Sequence, residues 1–271
     1  MYSHFIVFLT DFGEGSIYVG EMEGVILGIN PDAKIINLTH NLKSYDIVQA
    51  SFLLKKSYTY FPRNSIFLSV IDPEVGSGRL LVAVKTRNYI FVGPDNGLLY
   101  PTVNEDKIEI SVSIENKTYF LSNSSWTFHG RDILAPVAAY LSKGLAIEKI
   151  GPRVEHLQSL EIPNPIIRKD IISCKAIFID NFGNIVTNIK RSSIVKEITS
   201  GLILVELFSN NRCYQIPITN TYSDVGEGKP LALFNSFDCL EIAVNRGNAA
   251  GYLKIKEKSE LRLKLKETKK T

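Results

Sequence analysis

Three short polar strings in this 271-residue chain carry side chains that can move protons or bind hydroxyls, and each adjoins an apolar run. The first is Thr10-Asp11-Phe12-Gly13, directly after Phe5 to Leu9. A carboxylate at the carboxyl end of a strand can accept bonds from two adjacent hydroxyls, as in a ribose diol, and the same Asp11 can equally cap the turn that follows. The second is Val70-Ile71-Asp72-Pro73-Glu74-Val75-Gly76-Ser77-Gly78-Arg79, in which Pro and Gly reverse the chain and bring Asp72 within reach of Arg79. Such a pair serves either a site or the fold alone. The third is Thr127-Phe128-His129-Gly130-Arg131-Asp132. There His129 can exchange a proton near neutral pH and Asp132 can cap a following helix, although a lone His more often simply satisfies its neighbours.

Other strings weigh less. Gly93-Pro94-Asp95-Asn96-Gly97 is strong turn chemistry, Asp180-Asn181-Phe182-Gly183-Asn184 reads as a hairpin connection, and His40 and Asp46 flank a polar loop, Leu42-Lys43-Ser44-Tyr45. A helix-borne His pair or carboxylate cluster, the mark of a metal hydrolase, is missing from the sequence, as are the phosphate-cradling and nucleophile-elbow motifs.

Elements that can position these residues follow from periodicity. Phe5 to Leu9 and Lys34 to Leu38 read as strands, with Met22, Val25, Ile26 and Ile29 at helical spacing between them. A second helix is predicted from the Asp46 region through Ala50, Leu53 and Leu54 to Tyr58, closed by Pro62. Strands follow at Ser65 to Ile71, Leu80 to Lys85 and Tyr89 to Val92, then a polar stretch, then a helix from Ile133 to Ser142 stopped by Gly144. Alternating strands and helices imply an α/β domain, residues 1–162, with a largely parallel sheet covered on both faces. Pro163 and Pro165 mark a linker over Ile162 to Ile167. Beyond it helical periodicity nearly vanishes. Strands at Cys174 to Ile179, Ile185 to Ile189, Leu202 to Phe208, Arg212 to Ile218, Pro230 to Phe234, Leu240 to Val244 and Glu260 to Leu265 predict an antiparallel β domain over residues 168–271.

Composition narrows the class. With 45% hydrophobic and 22% charged residues the chain can bury a core, and its net charge of +3 gives no concentrated basic stripe until the end, where Arg262, Lys264 and Lys266 alternate with Leu. That segment is expected to be an edge strand and frayed tail, not a nucleic-acid site. Phe5 to Leu9 follows one His and no basic residue, unlike a signal peptide, so a cytoplasmic protein is expected. No apolar run approaches the roughly 20 residues of a membrane helix. Cys174, Cys213 and Cys239 are odd in number and set in apolar or strand-like runs, which predicts core residues and no disulfide framework.

Taken together, Thr10 to Gly13 with Tyr18-Val19-Gly20, Thr39-His40, Asp72-Pro73 with Val75-Gly76, Gly93 to Leu98, Phe128 to Asp132, Phe182-Gly183-Asn184 with Thr187-Asn188-Ile189, and Leu240 to Asn245 occur in one order. That set resembles the S-adenosylmethionine hydroxide adenosyltransferases, or S-adenosylmethionine hydrolases, relatives of the fluorinases and chlorinases. The resemblance runs from about Phe5 to about Leu265. It implies an N-terminal α/β domain, a C-terminal β-barrel-like domain and a homotrimer with sites between subunits. It also implies attack of water or hydroxide on ribose C5′ of S-adenosylmethionine, giving adenosine and L-methionine, with neither metal nor cofactor. Asp72, Arg79 and His129 match the water-activating set, with Asp72 or His129 as proton acceptor. Asp11 matches the contact to the ribose hydroxyls and Tyr45 an aromatic over the nucleoside. Asp180 and Asn184 match contacts to the methionine amino group and adenine edge, and Ser236 one to the methionine carboxylate. Ser16, Glu74, Gly78 and Leu80 depart from the pattern. The short passage from Val84 to Ile90 lacks the long loop inserted in fluorinase-type relatives.

Overall fold

The computed structural model describes residues 5–169, 171–194, 203–209 and 212–267. The chain divides into two compact units, Met1–Ile162 and Pro163–Thr271.

In the first unit, strands β1 (Phe5–Thr10), β2 (Lys34–Thr39), β3 (Ile66–Val70), β4 (Leu81–Thr86), β5 (Ile90–Pro94) and β6 (Ile108–Ser113) form one sheet in the order β2-β1-β3-β5-β4-β6. The β2-β1-β3-β5 neighbours are parallel, whereas β4 is antiparallel to both β5 and β6. The sheet is therefore mixed. Residues 87–89, which join β4 to β5, are too few for the crossover that parallel neighbours need, so β5 folds back as a hairpin.

Helix α1 (Ile17–Ile29) buries Val19, Met22 and Ile26, and Ser16 caps it by accepting from the Tyr18 N–H at 3.3 Å. One of the departures from the family pattern thus does a helix-starting job. Helix α2 (Ile47–Ser57) begins at Asp46, whose carboxylate accepts the Gln49 N–H at 3.1 Å, and ends with Lys55 and Lys56 in its last turn, where cations favour the dipole. Helix α4 (Ala135–Ser142) packs with α1 on the sheet face that carries Ile6, Phe8, Leu68 and Val70. On the other face α2 meets the short α3 (Tyr100–Glu105), and Phe67 stacks on Phe91 with ring centroids 5.1 Å apart. Both α3 and β6 lie in the stretch read from sequence only as polar. Pro101 in the first turn of α3 and a length of six residues leave no helical period to read.

The second unit contains β7 (Ile166–Arg168), β8 (Ile171–Ile179), β9 (Ile185–Lys190), β10 (Ile203–Ser209), β11 (Arg212–Pro217), β12 (Pro230–Phe234), β13 (Cys239–Val244), α5 (Ala249–Leu253) and β14 (Glu260–Glu267). Its sheet runs β11-β10-β14-β8-β9-β13-β12 with antiparallel pairing throughout, and β7 pairs with β8. A bridge from Ile218 to Ala232, with the Thr219 N–H donating to the Ala232 carbonyl at 2.8 Å, links the two ends and nearly closes a barrel. Its core holds Ile172, Val205, Leu207, Ile216, Leu240, Ile242, Leu261 and Leu263.

Three expectations are corrected here. Strand β14 lies between β10 and β8, not at an edge, because it pairs with both along its length, with Leu261 and Leu263 pointing into the barrel and Arg262 and Lys266 facing water. Cys174 and Cys239 are buried, but Cys213 is exposed, lying on the outward side of β11. The Pro-flanked linker contains β7, whose three residues are all exposed. Leu202, where a strand was expected to start, and residues 268–270 of the expected frayed tail lie outside the described residues. Among the described residues, no helix is long and apolar enough to cross a membrane.

Candidate active site

Strands β1 and β3 run side by side with Thr10 opposite Val70, so their carboxyl ends bring Asp11 and Asp72 to the same edge of the sheet. Thr10 is pinned by the ring of buried His40, whose Nδ1 lies 2.8 Å from its hydroxyl. The Gly13 N–H donates to the His40 carbonyl at 2.8 Å, which holds the turn after Asp11 against the end of β2. Asp11 accepts the backbone N–H of Tyr45 at 2.8 Å, and burial raises its pKa against that bond. Tyr45 sits in the left-handed region at φ 65°, with its side chain exposed at the rim.

The turn over 72–79 is held from several sides. Asn96 donates to the Ile71 carbonyl at 2.8 Å, and the Asp95 N–H to the Leu80 carbonyl at 2.9 Å, so the string of turn residues after β5 fixes both flanks of the turn. Gly93 lets β5 approach, since a Cβ there would stand 2.5 Å from the Ser69 carbonyl. At Gly76 φ is +83° and a Cβ would meet the Trp126 carbonyl at 2.9 Å. Within this frame Arg79 forks onto Asp72, Nε donating to Oδ1 at 2.5 Å and Nη2 to Oδ2, with both side chains almost fully buried. Glu74 is exposed and lies outside the cavity lining.

His129 reaches the same guanidinium, its Nδ1 being 3.2 Å from Arg79 Nη2. A guanidinium has no acceptor, so Nδ1 must accept and a neutral ring carries its hydrogen on Nε2. Burial first, and the Arg79 charge second, lower the His129 pKa and favour that neutral ring. The backbone here is one turn of π-helix, Gly130–Leu134, of a kind that recurs at functional sites. Asp132 does not cap the helix as expected. Nearly all buried, it accepts the Ser125 N–H at 2.7 Å and Arg131 Nε at 2.6 Å, while Arg131 Nη1 reaches Glu21 of α1 at 2.9 Å. This brace, unread in the sequence because Glu21 is remote, stitches the segment before His129 to the helix layer.

Asp11, Tyr45, Asp72 and His129 line one cleft with Phe12, Phe128 and Val75. Its volume is about 180 Å³, below the roughly 300–1,000 Å³ of ordinary small-molecule pockets. By itself it can enclose only part of a ligand. Among the described residues, no group of three or more His, Cys, Asp or Glu side chains is placed to hold a metal ion.

The other three expected residues lie in the second unit. Asp180 organises the β8–β9 hairpin: Oδ1 accepts the N–H groups of Phe182 and Asn184 at 2.9 and 2.8 Å, and Oδ2 accepts the Asn184 side-chain amide at 2.9 Å. Asp180 and Ser236 share a concavity of about 600 Å³ with Tyr222, Asn235 and Glu241, and Asn184 lines an adjoining one with Asp180, Tyr222 and Phe182. Glu241 escaped the sequence reading because it is embedded in the apolar string Leu240 to Val244.

A carboxylate, guanidinium and imidazole joined in an α/β unit, in a chain that also carries a β-barrel-like unit, define a two-domain protein with an acid–base site of the kind enzymes use. The chain belongs to the S-adenosylmethionine hydroxide adenosyltransferase family, matching the N-terminal domain of that family over residues 6–151 and the C-terminal domain over 174–262. It is 32% identical over 263 residues to the protein of Salinispora tropica named (R)-S-adenosyl-L-methionine hydrolase, covering 95% of this chain and 97% of that one. A protein of the same name from Thermus thermophilus is 33% identical, with 95% and 98% covered. The crystal structure of an uncharacterized conserved protein from Thermotoga maritima superposes with a TM-score of 0.90 at 36% identity, covering 95% of this chain and 99% of that one.

Proposed function

We propose that the protein hydrolyses S-adenosyl-L-methionine to adenosine and L-methionine by attack of water on ribose C5′. The observation that carries this reading is the Asp72–Arg79–His129 arrangement beside Asp11 in one cleft, in a chain whose relatives bear the hydrolase name. The oxygen of water bonds to C5′, the C5′–S bond breaks, its electron pair stays on sulfur as a neutral thioether, and one of the two protons of the water leaves, so that C5′ carries a hydroxyl. No oxyanion develops, and the substrate brings its own leaving group, so the reading calls on no cofactor. The work is positioning water in line and removing a proton that becomes strongly acidic as the bond forms.

The hydrogen bonds distribute the roles. The lone pair of His129 Nδ1 is taken by Arg79, which leaves Nε2–H as a donor that orients the water. Each Asp72 oxygen accepts one bond from Arg79 and keeps lone-pair capacity, so Asp72 is the proton acceptor and Arg79 fixes its plane. Asp11, held by the Tyr45 N–H through Oδ2, is the contact to the ribose hydroxyls, with Tyr45 stacked over the nucleoside. In the second unit Asp180 holds the amino group, Asn184 the adenine edge and Ser236 the carboxylate. The homotrimer that the family resemblance implies, with neighbouring subunits supplying the two halves of each site, would complete the partial cleft of the first unit.

Incubation with S-adenosylmethionine in ¹⁸O-labelled, halide-free water tests the reading. Adenosine is expected to carry the label in its 5′ hydroxyl, with unlabelled methionine; intact substrate, or label in methionine, would refute it. The pH profile adds a second check. Protonating Nδ1 sets an N–H against the Arg79 donors and breaks the arrangement, so kcat/KM should be flat at neutral pH and fall as acid passes through the lowered His129 pKa, below the ordinary 6.5. An acid limb centred above that value would contradict a neutral His129.

A further inference from the structure

Glu241 is a buried carboxylate that the reaction as described does not use. It lies on β13 among apolar residues, is 4% exposed, and burial raises its pKa. Both oxygens are engaged: the Tyr222 hydroxyl donates to Oε1 at 2.7 Å and the Asn235 amide nitrogen to Oε2 at 3.0 Å. An ionised carboxylate only accepts, so it dictates which end of the Asn235 amide faces it. The other end is thereby aimed at the loop 235–238, where Asn235 Oδ1 accepts the N–H of Phe237 at 3.0 Å and that of Cys239 at 3.2 Å. Ser236 sits between Asn235 and the first of these anchor points, Phe237, and its loop is closed by the Asp238 N–H donating to the Asn235 carbonyl at 2.9 Å. Tyr222 lines the concavity that Ser236 faces, so one carboxylate ties together two of its walls.

We infer that Glu241 is a positioning residue for the amino-acid end of the substrate: through Asn235 it sets the loop that presents Ser236, and through Tyr222 it holds the facing wall. The inference rests on the assignment of Ser236 to the methionine carboxylate. It predicts that Glu241 acts on the part of the substrate that adenosine lacks.

The test is initial-rate kinetics with S-adenosylmethionine and product inhibition by adenosine, in wild type, Ser236→Ala, Glu241→Gln and Tyr222→Phe, the last removing one hydroxyl should the Gln variant fold poorly. Glu241→Gln puts an amide donor in play against the Asn235 amide. Expected is a rise of about tenfold in KM for both Ser236→Ala and Glu241→Gln, the loss of one bond to a charged group, and a smaller rise for Tyr222→Phe. In Glu241→Gln and Tyr222→Phe, kcat should stay within about twofold and adenosine inhibition unchanged. Wild type without turnover would overturn the proposed function and this inference with it. An unaltered KM in Ser236→Ala overturns the Ser236 contact and hence the inference. A raised KM in Ser236→Ala, with unaltered KM in both Glu241→Gln and Tyr222→Phe, overturns the role of Glu241 alone. So does adenosine inhibition weakened as much as substrate binding, which marks a merely structural effect.

Discussion

The Asp72→Asn protein is expected to turn over S-adenosylmethionine about 10²- to 10⁴-fold more slowly than wild type, the range that a positioned proton acceptor contributes. An amide keeps one acceptor oxygen for Arg79 but loses the second fork contact and all capacity to take a proton at neutral pH. Substrate should still bind, because Asp11 and the residues of the second unit are untouched, so the loss should fall on kcat with KM within a few fold. Chromatographic release of adenosine measures it. Turnover within threefold of wild type would remove Asp72 from the reaction. Thermal unfolding should accompany the assay, since Arg79 is left almost wholly buried with a weakened partner.

Phe67→Ala should cost about 3–5 kcal/mol of stability, the largest single loss expected from the first unit. The ring is fully buried, stacks on Phe91 and meets Phe61 and Tyr89 edge-on at 5.4 and 5.5 Å. Neighbouring aromatics are rigid and cannot collapse into the space, so the cavity persists. Denaturant titration read on the first unit's transition gives the value, and a loss below about 1 kcal/mol would mean that the face repacks. Phe67 does not line the cleft, so activity measured below the new transition should survive, separating stability from chemistry.

How far the sequence disclosed this architecture depended on whether a signal was local. Met22, Val25, Ile26 and Ile29 announced α1 because four residues at helical spacing need no distant partner. Asp46 announced the start of α2 for the same reason, and its carboxylate does cap it. Ile108–Ser113 alternates, but it was lost beside the six-residue α3, and β7 was lost because three exposed residues directly after two prolines look like a linker. The place of β14 was misread on different grounds. Alternating Leu and Lys fits an edge strand and a barrel strand equally, and only the pairing with β8 and β10 decides between them. At the site, Asp72 and Arg79 were readable as a pair seven residues apart. The contact of His129 with Arg79 spans 50 residues, the Arg131–Glu21 brace 110, and Glu241 meets Tyr222 across 19, so folding alone reveals them.

The alignment of β1 with β3 has a consequence for selectivity. Thr10 stands opposite Val70, so the residue assigned to the diol and the one assigned to the attacking water follow the ends of adjacent strands, whose backbones lie about 4.8 Å apart. The strand register sets where the two residues leave the sheet, and the bonds from the Tyr45 N–H to Asp11 and from Arg79 to Asp72 hold their carboxylates. Under the proposed reaction that interval acts as a ruler for the span from the sugar's hydroxyl pair to its exocyclic carbon. A sulfonium analogue one methylene longer between ring and sulfur would engage the first mark and overshoot the second, binding well and reacting poorly however freely its far end is accepted.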